Sequence, residues 1–268
     1  MSFDSAHFKR LERAGYNRIG ARYLAAAGAR GELAEALIKA ARIEPGQRVL
    51  DLASGPGLLA RRAQEAAGAG GLAVASDISE GQLGCCPDLL RVAADGEALP
   101  FANSGFDRVL CGLGLMFFPD DQAALHEMRR VLAPDGLLAL SVWGAACETP
   151  LVEAALACMR RLLPAPKVVR PSIFRFGDPA ELTRRLAGAD FRDIGIEAFR
   201  LAIDFSDASA YWQGFLDLAG GAAESLSRLP AEKQQALAAA VAEELTPHAV
   251  PGGYRLSSTV LVATARPV

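Results

Sequence analysis

Histidine, cysteine and tryptophan are scarce in this chain, and no stretch carries a run of one charge. Three histidines, five cysteines and two tryptophans are spread over 268 residues. His7, His126 and His248 make no HxxxH or HExxH pattern, no CxxC occurs, and the adjacent Cys85-Cys86 pair is badly placed to clasp one ion with other ligands. No structural or catalytic metal is expected from such a set. Five unpatterned cysteines also give no disulfide framework. Basic runs are missing as well. Basic residues adjoin at most in pairs, such as Arg61-Arg62, Arg129-Arg130 and Arg184-Arg185, each in a helix-like stretch, and the net charge is −3. Nucleic acid is excluded as the main partner, because phosphate binding needs a clustered basic surface. The most apolar stretch, Gly136 to Ala146, is about half of the roughly 20 residues that cross a bilayer, so no membrane span is expected. The start, MSFDSAHFKR, lacks the apolar core of a signal peptide, which makes the cytoplasm the expected compartment.

What is present is a globular pattern. Hydrophobic residues make up 51% and charged residues 22%, enough for a sizeable core. Over residues 1–44, Phe8, Leu11, Ile19, Tyr23, Leu33 and Leu37 recur at helical spacing, interrupted by Gly15, Gly20, Gly28 and Gly31. Two or three short helices are predicted there. From Pro45-Gly46 onward, short apolar runs alternate with helical segments. Arg48–Leu52, Leu72–Ser76, Leu90–Ala94, Phe106–Cys111 and Leu137–Trp143 read as strands, with a helix over 58–67 and another capped by Asp120 or Asp121. Pro134-Asp-Gly136 reads as the turn into the fifth strand. The runs are continuously apolar rather than alternating, as in strands covered on both faces. Residues 148–250 mix helices with a strand from Phe191 to Ile203, a capping box at Asp178-Pro-Ala-Glu181 and an irregular stretch with Pro164, Pro166 and Pro171. A last strand follows from Tyr254 to Ala265. The expected fold is α/β: a Rossmann-like doubly wound sheet, mostly parallel with a C-terminal antiparallel hairpin, plus N-terminal and inserted cap helices. It is expected as one domain over 1–268, with N-terminal helices (1–44), a cofactor-binding core (45–147), cap helices and a late strand (148–250) and a terminal strand (251–268).

Three acidic residues sit at the carboxyl ends of successive predicted strands: Asp51 before the Gly55-Pro-Gly57 loop, then Asp77, then Asp95. Open α/β sheets bind ligands at that edge. Glycines after the first strand let a ligand approach the backbone and expose the next helix N-terminus. An acid after the second strand can accept from both hydroxyls of a ribose, and one after the third from the amine of adenine. Each feature alone is as well explained by a turn or a helix cap; the set together describes a nucleoside site with room for a short charged tail.

The motifs resemble those of class I S-adenosylmethionine-dependent methyltransferases, most closely the ubiquinone/menaquinone-biosynthesis type that acts on small molecules. Val49-Leu-Asp-Leu-Ala-Ser-Gly-Pro-Gly57 is similar to the first motif, Asp77-Ile-Ser79 to the second and Asp95-Gly-Glu-Ala-Leu-Pro-Phe101 to the third. Phe106 to Asp120 and Arg130-Val-Leu-Ala-Pro-Asp-Gly136 resemble the strand, loop and turn that follow. The resemblance covers about Arg48 to Trp143. It implies S-adenosylmethionine as cofactor and methyl transfer to a small molecule by in-line displacement. By position it implies that Asp51, Ala53, Ser54 and Gly55 line the methionine part, that Asp77 holds the ribose with Ile78 on the adenine and Gln82 nearby, that Asp95 and Gly96 meet the adenine edge, and that the Cys111 backbone faces the amino group. Ala53 stands where the family usually has glycine, so tighter packing is expected there. The segment Glu80 to Leu90, with Gly84-Cys-Cys-Pro87, leaves room for one helical turn only.

The acceptor pocket is expected from Tyr16 and Tyr23 of the N-terminal helices, from Met116 and Phe117 in the loop after the fourth strand, and from Tyr211, Trp212 and Phe215 of a late helix, although aromatics at helical spacing also suit a core. Lined that way, the pocket suits an apolar or aromatic acceptor. No catalytic residue is identified; His126, His248, Tyr254 and Glu148 are unsupported candidates for a base. Two alternatives stay open: a protein that binds S-adenosylmethionine without transferring methyl (a regulatory subunit or a cyclase), and a nicotinamide-dependent dehydrogenase, whose GxGxxG pattern is broken here by Leu58-Leu-Ala60. Nothing in the sequence chooses between a monomer and a homodimer.

Overall fold

A computed structural model describes residues 3–165, 168, 170–220, 226 and 228–268; Pro166 of the proline-rich stretch lies outside them. The elements run α1 (Ser5–Ala25), α2 (Gly31–Ala41), β1 (Arg48–Leu52), α3 (Leu58–Ala67), β2 (Leu72–Asp77), α4 (Glu80–Leu83), β3 (Leu90–Ala93) and β4 (Phe106–Gly112). They continue through α5 (Asp121–Val131), β5 (Leu132–Trp143), α6 (Pro150–Leu162), α7 (Pro179–Gly188), β6 (Phe191–Phe205) and α8 (Ala208–Leu218). The chain ends with α9 (Ala231–Glu244), β7 (Ala249–Val250) and β8 (Gly253–Pro267).

The strands form one sheet in the order β3-β2-β1-β4-β5-β8-β6, with the short β7 on β8. β3, β2, β1, β4 and β5 are parallel, and β8 runs antiparallel between β5 and β6. This is the doubly wound, mostly parallel sheet expected from the sequence. The antiparallel pair β6–β8 is not a tight hairpin, because α8 and α9 lie between its strands. Successive strand residues serve opposite faces. Val49, Leu110 and Ala139 pack with α2, α6, α8 and α9 on one side, and Leu50, Leu138 and Leu140 pack with α5 and α7 on the other. Both faces are dry, which is why the strands read as unbroken apolar runs.

Three local expectations changed. Residues 1–44 hold two α-helices, within the two or three expected, but the first, α1, is a long one that runs through Gly15 and Gly20. Its glycines are contact points instead of breaks: a Cβ on Gly20 would lie 2.7 Å from the Gly81 carbonyl oxygen, and one on Gly81 would lie 2.5 Å from that of Asn17. Backbone meets backbone there, and α1 lies against α4. Pro134-Asp-Gly136 is an irregular stretch inside β5 rather than a turn before it; pairing passes from Phe106–Leu132 to Arg108–Leu137. The late helices α6, α8 and α9 share the core under the sheet. The one-turn α4 matches its glycine- and proline-rich sequence, with the Ser79 hydroxyl accepting from the Gln82 N–H at its start.

The α1–α4 contact can be probed by adding one methyl group. Gly81→Ala is expected to cost about 1–3 kcal/mol in urea denaturation, because backbone atoms must move apart. Gly28→Ala, where a Cβ would meet nothing within 4 Å, is expected to stay within about 0.5 kcal/mol of the parent.

Candidate functional site

The carboxyl ends of β1 to β4 open into a cavity, and α1 forms its roof. Lys9, Glu12, Tyr16 and Tyr23 project from that helix toward Ala53, Gly55, Asp77, Ile78, Gln82, Asp95 and Gly96 below, with Leu113, Gly114, Phe117 and Phe118 forming the third wall. The floor turns sharply. Ala53, Gly55 and Gly57 all have positive φ (54°, 56° and 83°), and Gly57 caps α3 in the left-handed region. Alanine pays for that conformation where glycine does not. Its methyl group fits because the opposing residue is Gly114, where a Cβ would come within 2.7 Å of the Ala53 Cβ. The tighter packing expected at Ala53 is thus accommodated from the facing loop.

Asp51 lies under this floor with no exposed surface. One carboxylate oxygen accepts from the Ser54 hydroxyl (2.5 Å) and the Ala60 N–H (2.9 Å), which ties the loop to the first turn of α3. The other oxygen is buried without a partner. Asp77 accepts from the Gly55 N–H (2.9 Å) on one oxygen and the Ser79 N–H (2.8 Å) on the other. Each of its oxygens keeps a lone pair free for a hydroxyl. Among the described residues neither carboxylate has a cationic partner. Burial pushes the Asp51 carboxyl up to about 7 against the pull of its hydrogen bonds, and the nearby Asp77 adds to the rise. Burial raises Asp77 as well. Gln82 donates to the Tyr16 carbonyl oxygen (3.2 Å), while its own amide oxygen is buried without a partner beside Gly55.

These orphaned acceptors specify the ligand. At the cavity the half-buried Asp77 carboxylate has no cation and the buried Gln82 amide oxygen no donor, with the Asp51 carboxylate buried behind them; this suits a molecule that is positively charged and rich in N–H and O–H groups. S-adenosylmethionine, with its sulfonium, ammonium, ribose hydroxyls and adenine amine, fits that demand. The pyrophosphate of a dinucleotide does not.

Of the expected cofactor residues, Ala53, Gly55, Asp77, Ile78, Gln82, Asp95 and Gly96 line the cavity. Asp51, Ser54 and Cys111 are buried behind it. Burial pushes the Cys111 thiol up to about 12, and Gly112 to Gly114 form the wall instead of Cys111. Asp95 accepts from the Glu97 N–H (3.0 Å) and from Lys9 (2.6 Å), and Lys9 also meets Glu97 at 2.5 Å. Gly96 lets the Phe118 ring close in, since a Cβ there would lie 2.5 Å from it.

Of the expected acceptor residues, Tyr16, Tyr23 and Phe117 line the cavity. Met116 is buried in the core beside α5. Tyr211 is buried with its hydroxyl donating to the Leu151 carbonyl oxygen and accepting from the Ala155 N–H, and Phe215 stays in the same core. Trp212 borders a separate crevice between α1, α8 and α9. His126 is exposed on α5, and His248, Tyr254 and Glu148 do not reach the cavity. Lys9 and Glu12 were not singled out in the sequence. The signal was there: 9, 12, 16 and 23 follow helical spacing along one stripe that contains both tyrosines. Glu12 is 7% exposed and pairs with Arg170, and burial raises its carboxyl.

The family described as methyltransferase domain matches residues 50–140. A demethylmenaquinone methyltransferase of Corynebacterium urealyticum is 34% identical over 166 residues, covering 57% of this chain and 71% of the relative. A ubiquinone/menaquinone biosynthesis C-methyltransferase of Coxiella burnetii is 35% identical over 133 residues, covering 46% of this chain. The chain spans 53% of that relative's length. Among solved structures, the YcgJ protein of Bacillus subtilis superposes with a TM-score of 0.58 at 18% identity, over 87% of this chain and 97% of that one.

The raised Asp51 carboxyl has a consequence for the ligand-free protein. The folded chain holds a proton there that the unfolded chain has lost above about pH 4, so stability falls as pH rises from that value and levels off above about pH 7. Urea denaturation of the free wild type is expected to show a loss on the order of a few kcal/mol between about pH 5 and pH 8. In Asp51→Asn the decline is expected to be shallower.

Proposed function

The chain belongs to the class I S-adenosylmethionine-dependent methyltransferases, and we propose that it transfers a methyl group from S-adenosylmethionine to a small apolar or aromatic acceptor. The observation that carries this proposal is that Asp77, half-buried in the cavity lining, and Asp51, buried behind it, have no cationic partner among the described residues. When bound, S-adenosylmethionine supplies an electrophilic methyl group already activated by positive sulfur.

The protein's part is placement. Asp77 receives the ribose hydroxyls, and its hydrogen bonds from Gly55 and Ser79 fix the carboxylate plane. Asp95 and Ile78 receive the adenine. Gln82 offers its amide oxygen. Gly112 to Gly114 and the Ala53–Gly55 turn enclose the methionine part. The walls above are Tyr16, Tyr23, Phe117 and Phe118. They exclude water from the place where the acceptor must approach, and their rings suit an apolar or aromatic body. Two arginines from one stretch hold those walls in place. Arg170 pairs with Glu12 of α1, and Arg175 donates to the Leu115 and Phe118 carbonyl oxygens.

The test has two steps. Calorimetric titration is expected to give micromolar binding of S-adenosylmethionine to the wild type, and Asp77→Ala is expected to weaken it about tenfold or more through the lost charged hydrogen bonds. Transfer of labelled methyl from the cofactor is then screened on phenols, quinols and amines. A folded wild type that binds no S-adenosylmethionine overturns the proposal. Binding without transfer to any acceptor would favour a non-transferring role.

A further inference from the structure

Three aromatic rings, Tyr16, Tyr23 and Phe117, line the same cavity as Asp77 and Gly55. Tyr16 sits in the middle, 6.0 Å from Tyr23 and 5.8 Å from Phe117 between ring centroids, edge-on to both at 78° and 82°. Tyr23 comes within 3.5 Å of the space above Gly55. Burial, together with the charges of Tyr23, Glu12 and Asp77, raises the Tyr16 hydroxyl well above its ordinary range, so its ring stays a neutral phenol. A ring face attracts a cation. Tyr23 already carries one, the Arg30 guanidinium at 4.0 Å. Among the described residues no cation stands over Tyr16 or Phe117.

The charges around these rings are otherwise accounted for. Lys9 is held by Asp95 and Glu97, and Glu12 by Arg170. Asp77 is left without a cation beside Tyr16. Gly220 packs against one side of the Tyr16 ring, and the cavity wall therefore offers Tyr16 and Phe117 without a cation among the described residues, together with the uncompensated Asp77 carboxylate.

The cofactor before and after transfer differs chiefly in one charge: the sulfonium of S-adenosylmethionine becomes the neutral thioether of S-adenosylhomocysteine. We propose that Tyr16 and Phe117, supported by Tyr23 and Asp77, read that charge, so that this protein holds the sulfonium form more tightly than the thioether form. The inference rests on the methyltransferase proposal. Its consequence is that transfer itself loosens the spent cofactor, because the group that the rings and Asp77 attract has been discharged.

The test is calorimetric binding, independent of turnover. Three ligands are titrated: S-adenosylmethionine, S-adenosylhomocysteine, and sinefungin, in which a carbon bearing a protonatable amine replaces the methylated sulfur. The wild type is expected to prefer the two charged ligands over S-adenosylhomocysteine by about 3- to 30-fold. Phe117→Leu keeps an apolar side chain but removes the ring. It is expected to cut the preference severalfold by weakening the charged ligands while S-adenosylhomocysteine stays within about twofold. Tyr16→Phe, which keeps the ring, is expected to retain the preference. A wild type that binds S-adenosylhomocysteine as tightly as S-adenosylmethionine overturns the inference, whatever the variants do. Equal weakening of all three ligands in folded Phe117→Leu also overturns it, since the ring would then act by packing alone. If the wild type binds none of the three, the methyltransferase proposal falls, and this inference with it.

Discussion

Asp51 and Asp77 lie at the carboxyl ends of neighbouring parallel strands, the first buried and the second half-buried at the cavity, and their carboxylates repel each other with no cation among the described residues to offset them. Burying a charge without a partner is costly. Here the cost is limited by hydrogen bonds from Ser54, Ala60, Gly55 and Ser79, and by a proton retained on Asp51 near neutral pH. The same hydrogen bonds shape the turn between β1 and α3. The site's electrostatic debt and its geometry therefore have one origin. A cationic ligand of the right shape relieves that debt and stabilises the turn that receives it, whereas an anionic dinucleotide would deepen it.

The rest of the site serves this pair. The sheet order brings the ends of β1, β2 and β4 together, so one edge supplies the floor. The roof comes from α1, which can lie close because Gly20 and Gly81 let backbones touch. Its position is fixed by ion pairs to distant residues: Lys9 with Asp95 and Glu97, Glu12 with Arg170. The loop that follows β4 is held by Arg175. These contacts hold the roof and the wall in place around the cavity.

Much of this was legible in the sequence, for identifiable reasons. Continuous apolar runs such as Leu72–Ser76, too short for helices and bounded by turn residues, read as strands covered on both sides, and the doubly wound sheet follows from them. Acids at the ends of successive runs located the cavity edge, because that edge is where such sheets leave backbone groups free. The glycines of α1 were misread as breaks because a helix pattern carries no sign of a neighbour 61 residues on that needs them small. Tyr211 and Phe215 looked like a pocket wall for a related reason: an aromatic stripe fits either a pocket or a core, and only the Tyr211 hydrogen bonds to α6 settle it as core. Lys9 and Glu12 were on a readable stripe, but their partners at 95, 97 and 170 were not inferable from local spacing. Ala53 could not be reconciled with a glycine position until Gly114 was found opposite it.

If a bound cation settles the charge of Asp51 and Asp77, the Asp51 carboxyl reports it directly. Its side-chain carbonyl carbon, labelled and titrated by NMR, is expected to show an apparent pKa of about 7 in the free protein. With saturating S-adenosylmethionine the value is expected to fall toward the ordinary carboxylate range of about 4. An ordinary value in the free protein, or a raised value that does not move when the cofactor binds, would contradict the account.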